Sequence, residues 1–574
     1  MVGTLSFGTL RTDGYTTRMF GAASGIDTDQ LIDALVEARR IPAVRLENRI
    51  EENGRRLEAL RELQGLVAAL RDAVAGLRNP PGVLGVDENV FETKDVFLGA
   101  SGPSSPNALL GARASNRAEP GVHQLVIERI ATAHRIAGDA MAADDRPLAD
   151  LVNGGNPFSG SFTLGLAGGP TATVTVDGTM SLRDVEAAID AVSGTTGITA
   201  SILKVGANDY RLVLAAAETG KSIQITPAGG DPVTDMLGLT TGGSTVKNEL
   251  QAAQTARFSV DGVVMERTSN LVDDAIEGVT LNLFAADPST TVTLEVAPSA
   301  ATVEQAVRGF VDAYNALRDF VDTHRRMDEN GQVAEEAVLF ADTALRQIID
   351  AVQREIGSAA RGGTGTETLA SVGIRYDEDN RLVFDAAAFE EAFARDPEAV
   401  RRVFEFRFRA DSPDLVVYER SNALADFDFT VDIVDADGDG VIESATIDGV
   451  AADVNGGTIT GRAGTPYEGL TLLWVGRGST SIHVTASQGV ADRLYNALES
   501  FLDETEGVLA REIGELEDAN RRYEADIAEI DERVERYRRQ LIDKFAKLES
   551  ALATMDAMLK QVEATTLAWS GQKK

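Results

Sequence analysis

Apolar positions at both ends of the chain recur at helical spacing, whereas the middle alternates at strand spacing. Leu31, Leu35 and Ala38 open the first periodic stretch. Ahead of them, Ile26-Asp27-Thr28-Asp29-Gln30-Leu31 has the form of a capping box, with Asp27 at the N-cap, Gln30 closing the box, and Ile26 and Leu31 placed as a hydrophobic staple. Pro42 has no N–H and its ring crowds the preceding turn, so this helix is expected to end or kink there. A second, longer helix follows from Leu46, Ile50, Leu57, Leu60, Leu63, Val67, Leu70, Val74 and Leu77, and Asn79-Pro80-Pro81-Gly82 stops it.

The other end answers in kind. Tyr523, Ile527, Ile530, Val534, Tyr537, Leu541, Phe545, Leu548, Leu552, Met555, Leu559 and Val562 form a heptad seam, with a stutter at Leu541 that locally relaxes a left-handed supercoil. Dense mixed charge lies between them, as in Glu532-Arg533 and Arg538-Arg539. So narrow a stripe cannot bury itself in a lone helix. It needs partner helices from the N-terminal region, from other subunits, or from both. Two helical ends around other material imply that the ends meet and the middle is inserted.

The middle is strand-rich. Gly121 to Ile136 reads as a strand. Phe162-Thr163-Leu164 and Thr173-Val174-Thr175-Val176 flank Gly168-Gly169-Pro170, a helix from Ser181 to Val192 is capped by Ser181 with Asp184, and Ile198–Leu203 and Tyr210–Leu214 are further strands. A later segment, residues 405–488, carries Phe427–Ile433, Gly469–Trp474 and Ser481–Val484 in the same style.

Composition narrows the chemistry. The chain has 574 residues, 43% of them hydrophobic and 25% charged, which is the profile of a globular protein of several domains. Its net charge of −36 repels phosphate backbones and anionic lipid, so neither nucleic acid nor a membrane surface is an expected partner. No Cys occurs, which excludes thiol catalysis, disulfides and thiolate metal sites. The four His, at 123, 134, 324 and 483, are too scattered to suggest a metal cluster. Met1 to Gly25 is rich in Gly, Thr and Ser and has no apolar core of a cleavable signal, and no apolar run approaches a membrane span. Either a cytoplasmic location or export through an uncleaved N-terminus fits.

Two motifs invite a chemical reading. Gly220-Lys221-Ser222 ends like a phosphate-cradling loop, but Ala215 stands where the first glycine is required and the strand-like Ile223-Gln224-Ile225-Thr226 follows; a hairpin turn fits better. Asp435-Ala436-Asp437-Gly438-Asp439-Gly440 opens like a calcium loop, yet Thr446 occupies the position of the bidentate Glu, with Glu443 a partial substitute. Strand-like flanks favour a Gly-rich turn with no tight Ca²⁺ site. No constellation selects a catalytic residue, a cofactor or a metal, and no enzymatic activity is expected.

Several of these stretches carry a resemblance. Ser24-Gly25-Ile26-Asp27 followed by Leu31-Ile32-Asp33-Ala34-Leu35-Val36-Glu37-Ala38-Arg39-Arg40-Ile41-Pro42 resembles the opening of the flagellar filament cap proteins, the flagellar hook-associated protein 2 family. The run of two strands, a helix, Gly197-Ile198-Thr199-Ala200-Ser201 and a strand ending in Glu218-Thr219-Gly220 is similar to a motif that cap proteins share with flagellins. Ala256–Gly262, Arg267-Thr268-Ser269-Asn270, Ile276–Leu281, the box Phe310-Val311-Asp312-Ala313-Tyr314-Asn315, Leu369–Ile374, Asn380–Asp385 and Asp396–Val400 follow in the family's order. Ile130-Ala131-Thr132-Ala133-His134 departs from the family's Leu-Ala-Gln-Ala, and shorter members lack a 405–488 insertion.

The resemblance implies an α+β multidomain fold, with N- and C-terminal helices paired in a coiled-coil or helical-bundle leg and β-rich head domains inserted. The division expected is a flexible N-terminal segment and leg helix (1–42), a helical bundle (43–79 with 301–404 and 489–545), a β domain (80–140 with 247–300), an outer β head (141–246), the extra insertion (405–488) and a C-terminal leg helix (546–574), with residues 1 to about 25 disordered until packed. It further implies a structural cap at the distal end of the filament, outside the cell and exported without a cleaved signal peptide. Such a cap helps exported flagellin to fold and insert, and prevents its loss. Expected partners are other copies, in a ring of about five or six, together with flagellin, hook–filament junction proteins and an export chaperone. Leu31, Leu35, Phe545, Leu548 and Leu552 are the candidate partner contacts. The alternative is an extracellular adhesin using the β heads; another axial flagellar protein is disfavoured by the Phe310–Asn315 box.

Overall fold

The computed structural model describes residues 9–13, 16–20, 28–81, 85–363 and 365–571. They fall into two compact units, Met1–Arg78 with Ala306–Lys574, and Asn79–Gln305.

In the first unit the apolar periodicity of both chain ends becomes two long helices, Thr28–Ala75 and Val508–Gly571. Ile32, Ala43, Leu57, Leu60, Leu63, Val67, Leu70 and Val74 form the buried stripe of the N-terminal helix. The expected break at Pro42 does not occur; the helix runs through it, so the boundary drawn at 42 falls inside one element. A proline inside a helix costs about 3 kcal/mol or more, and the turn is held on both sides of it. Arg40 pairs with Glu47 across the proline (2.6 Å) and with Asp531 of the C-terminal helix (2.9 Å), and Ile32 and Ala43 are fully buried. The boundary drawn at 545 likewise falls inside Val508–Gly571. Ahead of the helix, Thr9–Asp13 and Thr16–Phe20 pair as an antiparallel hairpin, where disorder was expected. Ile26 and Asp27, the proposed staple and cap, lie outside the described residues.

Helices Ala300–His324, Thr343–Ile356 and Val490–Leu502 complete the bundle. The Phe310–Asn315 box has a mechanical explanation here. Asn315 donates to the carbonyl of Leu382 and accepts from its N–H, both at 2.9 Å, and the Tyr314 hydroxyl donates to the Asn380 carbonyl (2.9 Å). Those three bonds clamp the hairpin Ile374–Tyr376/Leu382–Phe384 onto the helix.

Residues 405–488 build two antiparallel sheets around one core that includes Phe429, Val431, Ile459, Leu472 and Val484. The first sheet runs Phe406–Ala410, Thr480–Gln488, Asp428–Val434, Ser444–Ile447, Val450–Ala451; the second runs Leu415–Arg420, Leu470–Trp474, Thr458–Thr460, Asp453–Asn455.

The second unit has two cores. One, with Leu125, Ile127, Phe258, Leu281 and Leu294, lies between a five-stranded and a three-stranded sheet. The other, with Phe162, Leu164, Val176, Val185, Ile189 and Leu214, includes helix Leu182–Asp190, whose Ser181 and Asp184 form the expected reciprocal cap. Gly121 to Ile136 is not one strand but two, Gly121–Arg129 and Ala133–Ala137, in different sheets. Asn270 makes the crossing possible. Its side chain accepts from the Ala131 N–H (2.6 Å) and donates to the Ala131 carbonyl (2.9 Å), supplying partners that a strand neighbour would otherwise provide.

Candidate assembly interface

The two terminal helices are antiparallel, and charged pairs fix their register. Asp33 meets Arg538 (2.9 Å), Arg40 meets Asp531, Arg56 meets Glu512 (3.1 Å), and Asn53 bonds Asn520 (2.8 Å). The Arg39 guanidinium stands 5.3 Å from the Tyr537 ring centre, a cation–π distance. Arg40 is held more firmly protonated than a free guanidinium by its bonds to Asp531 and Glu47.

This register leaves the C-terminal helix longer than its partner. Thr28 stands level with about residue 543, so about 40 Å of helix extends beyond it at about 1.5 Å per residue. The seam changes character along that length. Val534 (4% exposed) and Leu541 (8%) are buried, and Tyr537 and Phe545 are half-buried. The strand Thr16–Phe20 also lies against this helix. Farther on, Leu548, Met555, Met558, Leu559, Val562 and Leu567 are exposed, Leu567 by 72%, and Leu552 is half-buried. Of the predicted contacts, Phe545, Leu548 and Leu552 therefore share the outgoing seam. Leu31 and Leu35 are exposed on the N-terminal helix, beside the buried stripe headed by Ile32. Ile41 and Val44, farther along the same helix, are also exposed; sequence reasoning missed both, because Ile41 directly precedes the proline expected to end the helix and Val44 follows it.

Where the 405–488 domain joins the bundle, the structure buries a charged cluster that no motif announced. Asp492, fully buried, accepts from Arg420 (2.7 Å) and Gln488 (2.9 Å) and lies 3.3 Å from Arg78. Arg493, also fully buried, donates to the Glu355 carboxylate (2.9 Å) and to the Gln488 carbonyl (2.8 Å). Burial makes both Arg78 and Arg493 easier to deprotonate than a free guanidinium. Gln488 and Asp492 are four residues apart, and both face inward at the strand-to-helix junction; that spacing is the available, weak signal.

The two chemical motifs resolve as turns. Gly220 has φ of 72°, and a Cβ there would meet the Thr268 backbone at 2.9 Å, a conformation suited to glycine; the Gly-Lys-Ser step is not the expected hairpin, because Asp209–Thr219 and Ile223–Gly230, which it joins, lie in different sheets. Asp435, Asp437 and Glu443 place carboxylate oxygens within 4.8 Å of one another. The Asp435 carboxylate accepts from the N–H groups of Gly438 (2.8 Å), Gly440 (3.1 Å) and Gly478 (2.7 Å), which depress its pKa, and Glu443 accepts from Ala436 (2.9 Å). The segment joins paired strands, Val434 opposite Ser444. His134, buried, accepts from the Ile223 N–H and bonds Glu249 at 2.9 Å, as a satisfied core histidine does. Among the described residues, no helix is long and apolar enough to cross a membrane.

The chain thus pairs its two ends, leaves an apolar seam exposed beyond them and carries β domains between them. The family model for the flagellar hook-associated protein 2 C-terminus matches residues 253–557, that for the N-terminus matches 24–134, and the flagellin hook IN motif matches 161–218. The chain belongs to the flagellar hook-associated protein 2 family. It is 24% identical over 411 residues to the A-type flagellar hook-associated protein 2 of Pseudomonas aeruginosa, covering 68% of this chain and 80% of that protein. It is 32% identical over 200 residues to the Salmonella typhimurium flagellar hook-associated protein 2, covering 34% of this chain and 42% of that one. The D1-D2-D3 domains of the Escherichia coli flagellar cap protein FliD superpose with a TM-score of 0.47 at 22% identity, over 60% of this chain and 89% of that one. These similarities lend no support to the adhesin alternative.

Proposed function

We propose that this chain caps the distal end of the bacterial flagellar filament as a homo-oligomer, where it promotes the folding and insertion of exported flagellin and prevents its loss. In this reading the leg helices touch neighbouring copies and filament subunits through Leu31, Leu35, Phe545, Leu548 and Leu552. The β domains form the head, and the role is structural rather than catalytic. Export without a cleaved signal peptide, contact with hook–filament junction proteins and delivery by a chaperone belong to the same reading.

The observation that carries it is the outgoing apolar seam, which is exposed from Leu548 to Leu567 apart from half-buried Leu552. Exposed apolar residues in such a row mark a surface that another chain covers. An a/d seam adds its energy in small steps, so contacts along it can be broken and remade one neighbour at a time. Deleting residues 540–574 is expected to release flagellin into the medium and abolish filament growth, while circular dichroism and thermal unfolding show the β domains intact. Normal filaments from that deletion would refute the assignment.

A further inference from the structure

Beside its apolar seam, the C-terminal helix Val508–Gly571 carries a second stripe. Ten residues from Glu515 to Lys547 recur at spacings of 3, 4, 4, 3, 4, 3, 4, 4 and 3, and all ten are exposed. At about 100° per residue they fall within an arc of about 80°. The spacing reads the same in both directions from Asp531, but the charge changes sign there. Glu515 and Lys547 lie 16 residues either side of Asp531, Asp518 and Lys544 lie 13, Asp526 and Arg536 lie 5, and Glu529 and Arg533 lie 2. In each of these pairs a carboxylate before Asp531 answers a cation after it. The remaining pair, Arg522 and Gln540 at 9 residues, sets a cation against a neutral amide. The helix dipole does not account for the reversal. Its influence fades within the first and last turns, whereas Asp531 stands 23 residues from the first residue of the helix and 40 from the last. The charges are not used up within the chain either. Glu515, Asp526, Lys544 and Lys547 have no ion-pair partner among the described residues, and Glu529 reaches Arg533 only at 3.9 Å. Asp518 pairs with Arg521 and Arg536 with Glu532 (2.9 Å), exposed pairs that a competing partner can replace at little cost.

We propose that this stripe pairs with the same stripe of a second copy of this chain, antiparallel, about a two-fold axis level with Asp531. A two-fold contact sets each residue against the one equally far beyond the axis. Glu515 then faces Lys547, Asp518 faces Lys544, Asp526 faces Arg536 and Glu529 faces Arg533, and each pairing is made twice. A parallel contact in register would set like charge on like charge at all of these positions, which is unfavourable. The net charge of −36 opposes the approach of a second copy. Residues 533–547 reverse it locally, with six cations against two carboxylates. Each exposed pair contributes little alone, so the contact is reversible between single copies and gains strength where several copies are already held together. Subunits of a ring share one direction along its axis. Antiparallel pairing therefore joins copies that belong to different rings or to none. Such pairing lies outside the capping reading and does not depend on it.

Two variants of the full-length protein test this, Lys544→Glu/Lys547→Glu and Glu515→Lys/Asp518→Lys. Each alone sets like charges together at both ends of the contact. Each is expected to weaken the self-association that doubles the sedimenting mass by about tenfold or more, with unchanged thermal unfolding. Their equimolar mixture restores every opposite-charge pair, because the new acids of one chain face the new cations of the other, and is expected to associate as the wild type does. The chain contains no cysteine, so its direction can also be read. Arg522→Cys/Gln540→Cys is expected to give disulfide-linked copies under mild oxidation. Gln540→Cys alone is not, since the two-fold holds the two 540 positions about 27 Å apart at about 1.5 Å per residue. Variants that each associate as the wild type does, a mixture no stronger than its components, or linkage through Gln540→Cys alone would overturn the proposal. So would a wild-type protein that shows no doubling at any concentration. An unrelated acidic partner held by the basic half would leave the mixture unrescued.

Discussion

Arginine–carboxylate pairs join the terminal helices to each other and the 405–488 domain to the bundle, but in opposite surroundings. The Arg40 and Asp531 side chains are 37% and 41% exposed, whereas those of Arg420 and Asp492 are 3% and 0%. In water such a pair contributes little and is screened by salt. In a protein interior, removing one partner strands a charge that neither solvent nor another group can satisfy. The same chemistry thus adds little to the pairing of the terminal helices and makes the root of the insertion costly to disturb.

Replacing Asp492 with Ala is the strongest way to break this contrast. It leaves Arg420 and Arg78 facing a buried space without a carboxylate, with an expected loss of about 3–5 kcal/mol in equilibrium urea unfolding, followed by the fluorescence of buried Trp474. A loss below about 1 kcal/mol would place the joint in the same class as a surface pair. Asn315→Ala, which removes both bonds to Leu382, is expected to cost about 1–3 kcal/mol and to speed amide exchange at Leu382.

Glu512 sharpens the comparison because it lies between the two extremes. Burial and a hydrogen bond to Asp342, beside Arg56, push its carboxyl up to about 7 from the ordinary 4.5. A carboxyl raised on folding stabilises the folded chain fully below its unfolded value. That contribution fades as the pH rises from about 4.5 through about 7. The thermal midpoint should therefore fall across this window, and Glu512→Gln should flatten the fall. The smallest effect is expected from Arg40→Ala, whose shift in the thermal midpoint should vanish in high salt.

What the sequence disclosed follows the range of the forces involved. Local terms were legible: Ser181 and Asp184 form the reciprocal cap that their spacing announced, and the strand-like flanks of Asp435–Gly440 pair as a hairpin turn. The seam from Tyr523 to Val562 was visible as periodicity, because a repeat is written into one helix at a time. Long-range terms were not. Pro42 reads as a break until the full burial of Ile32 and Ala43 on either side of it, against residues remote in sequence, is known. Gly121 to Ile136 reads as one strand until Asn270 is placed on Ala131. The Asp492 cluster draws Arg78, Arg420 and Gln488 from three separate stretches, and none of these residues is unusual in its own neighbourhood.

The joining of the first helix to the last also fixes a schedule. Arg40 and Asp531 are 491 positions apart, and Asp33 and Arg538 are 505 apart. Contacts of that separation lie at the extreme of contact order, and the loop between them must close before they add any stability. A chain that emerges N-terminus first can fold its β domains while its stalk is still incomplete. The Thr28–Ala75 helix gains its C-terminal partner only when the final stretch of the polypeptide arrives.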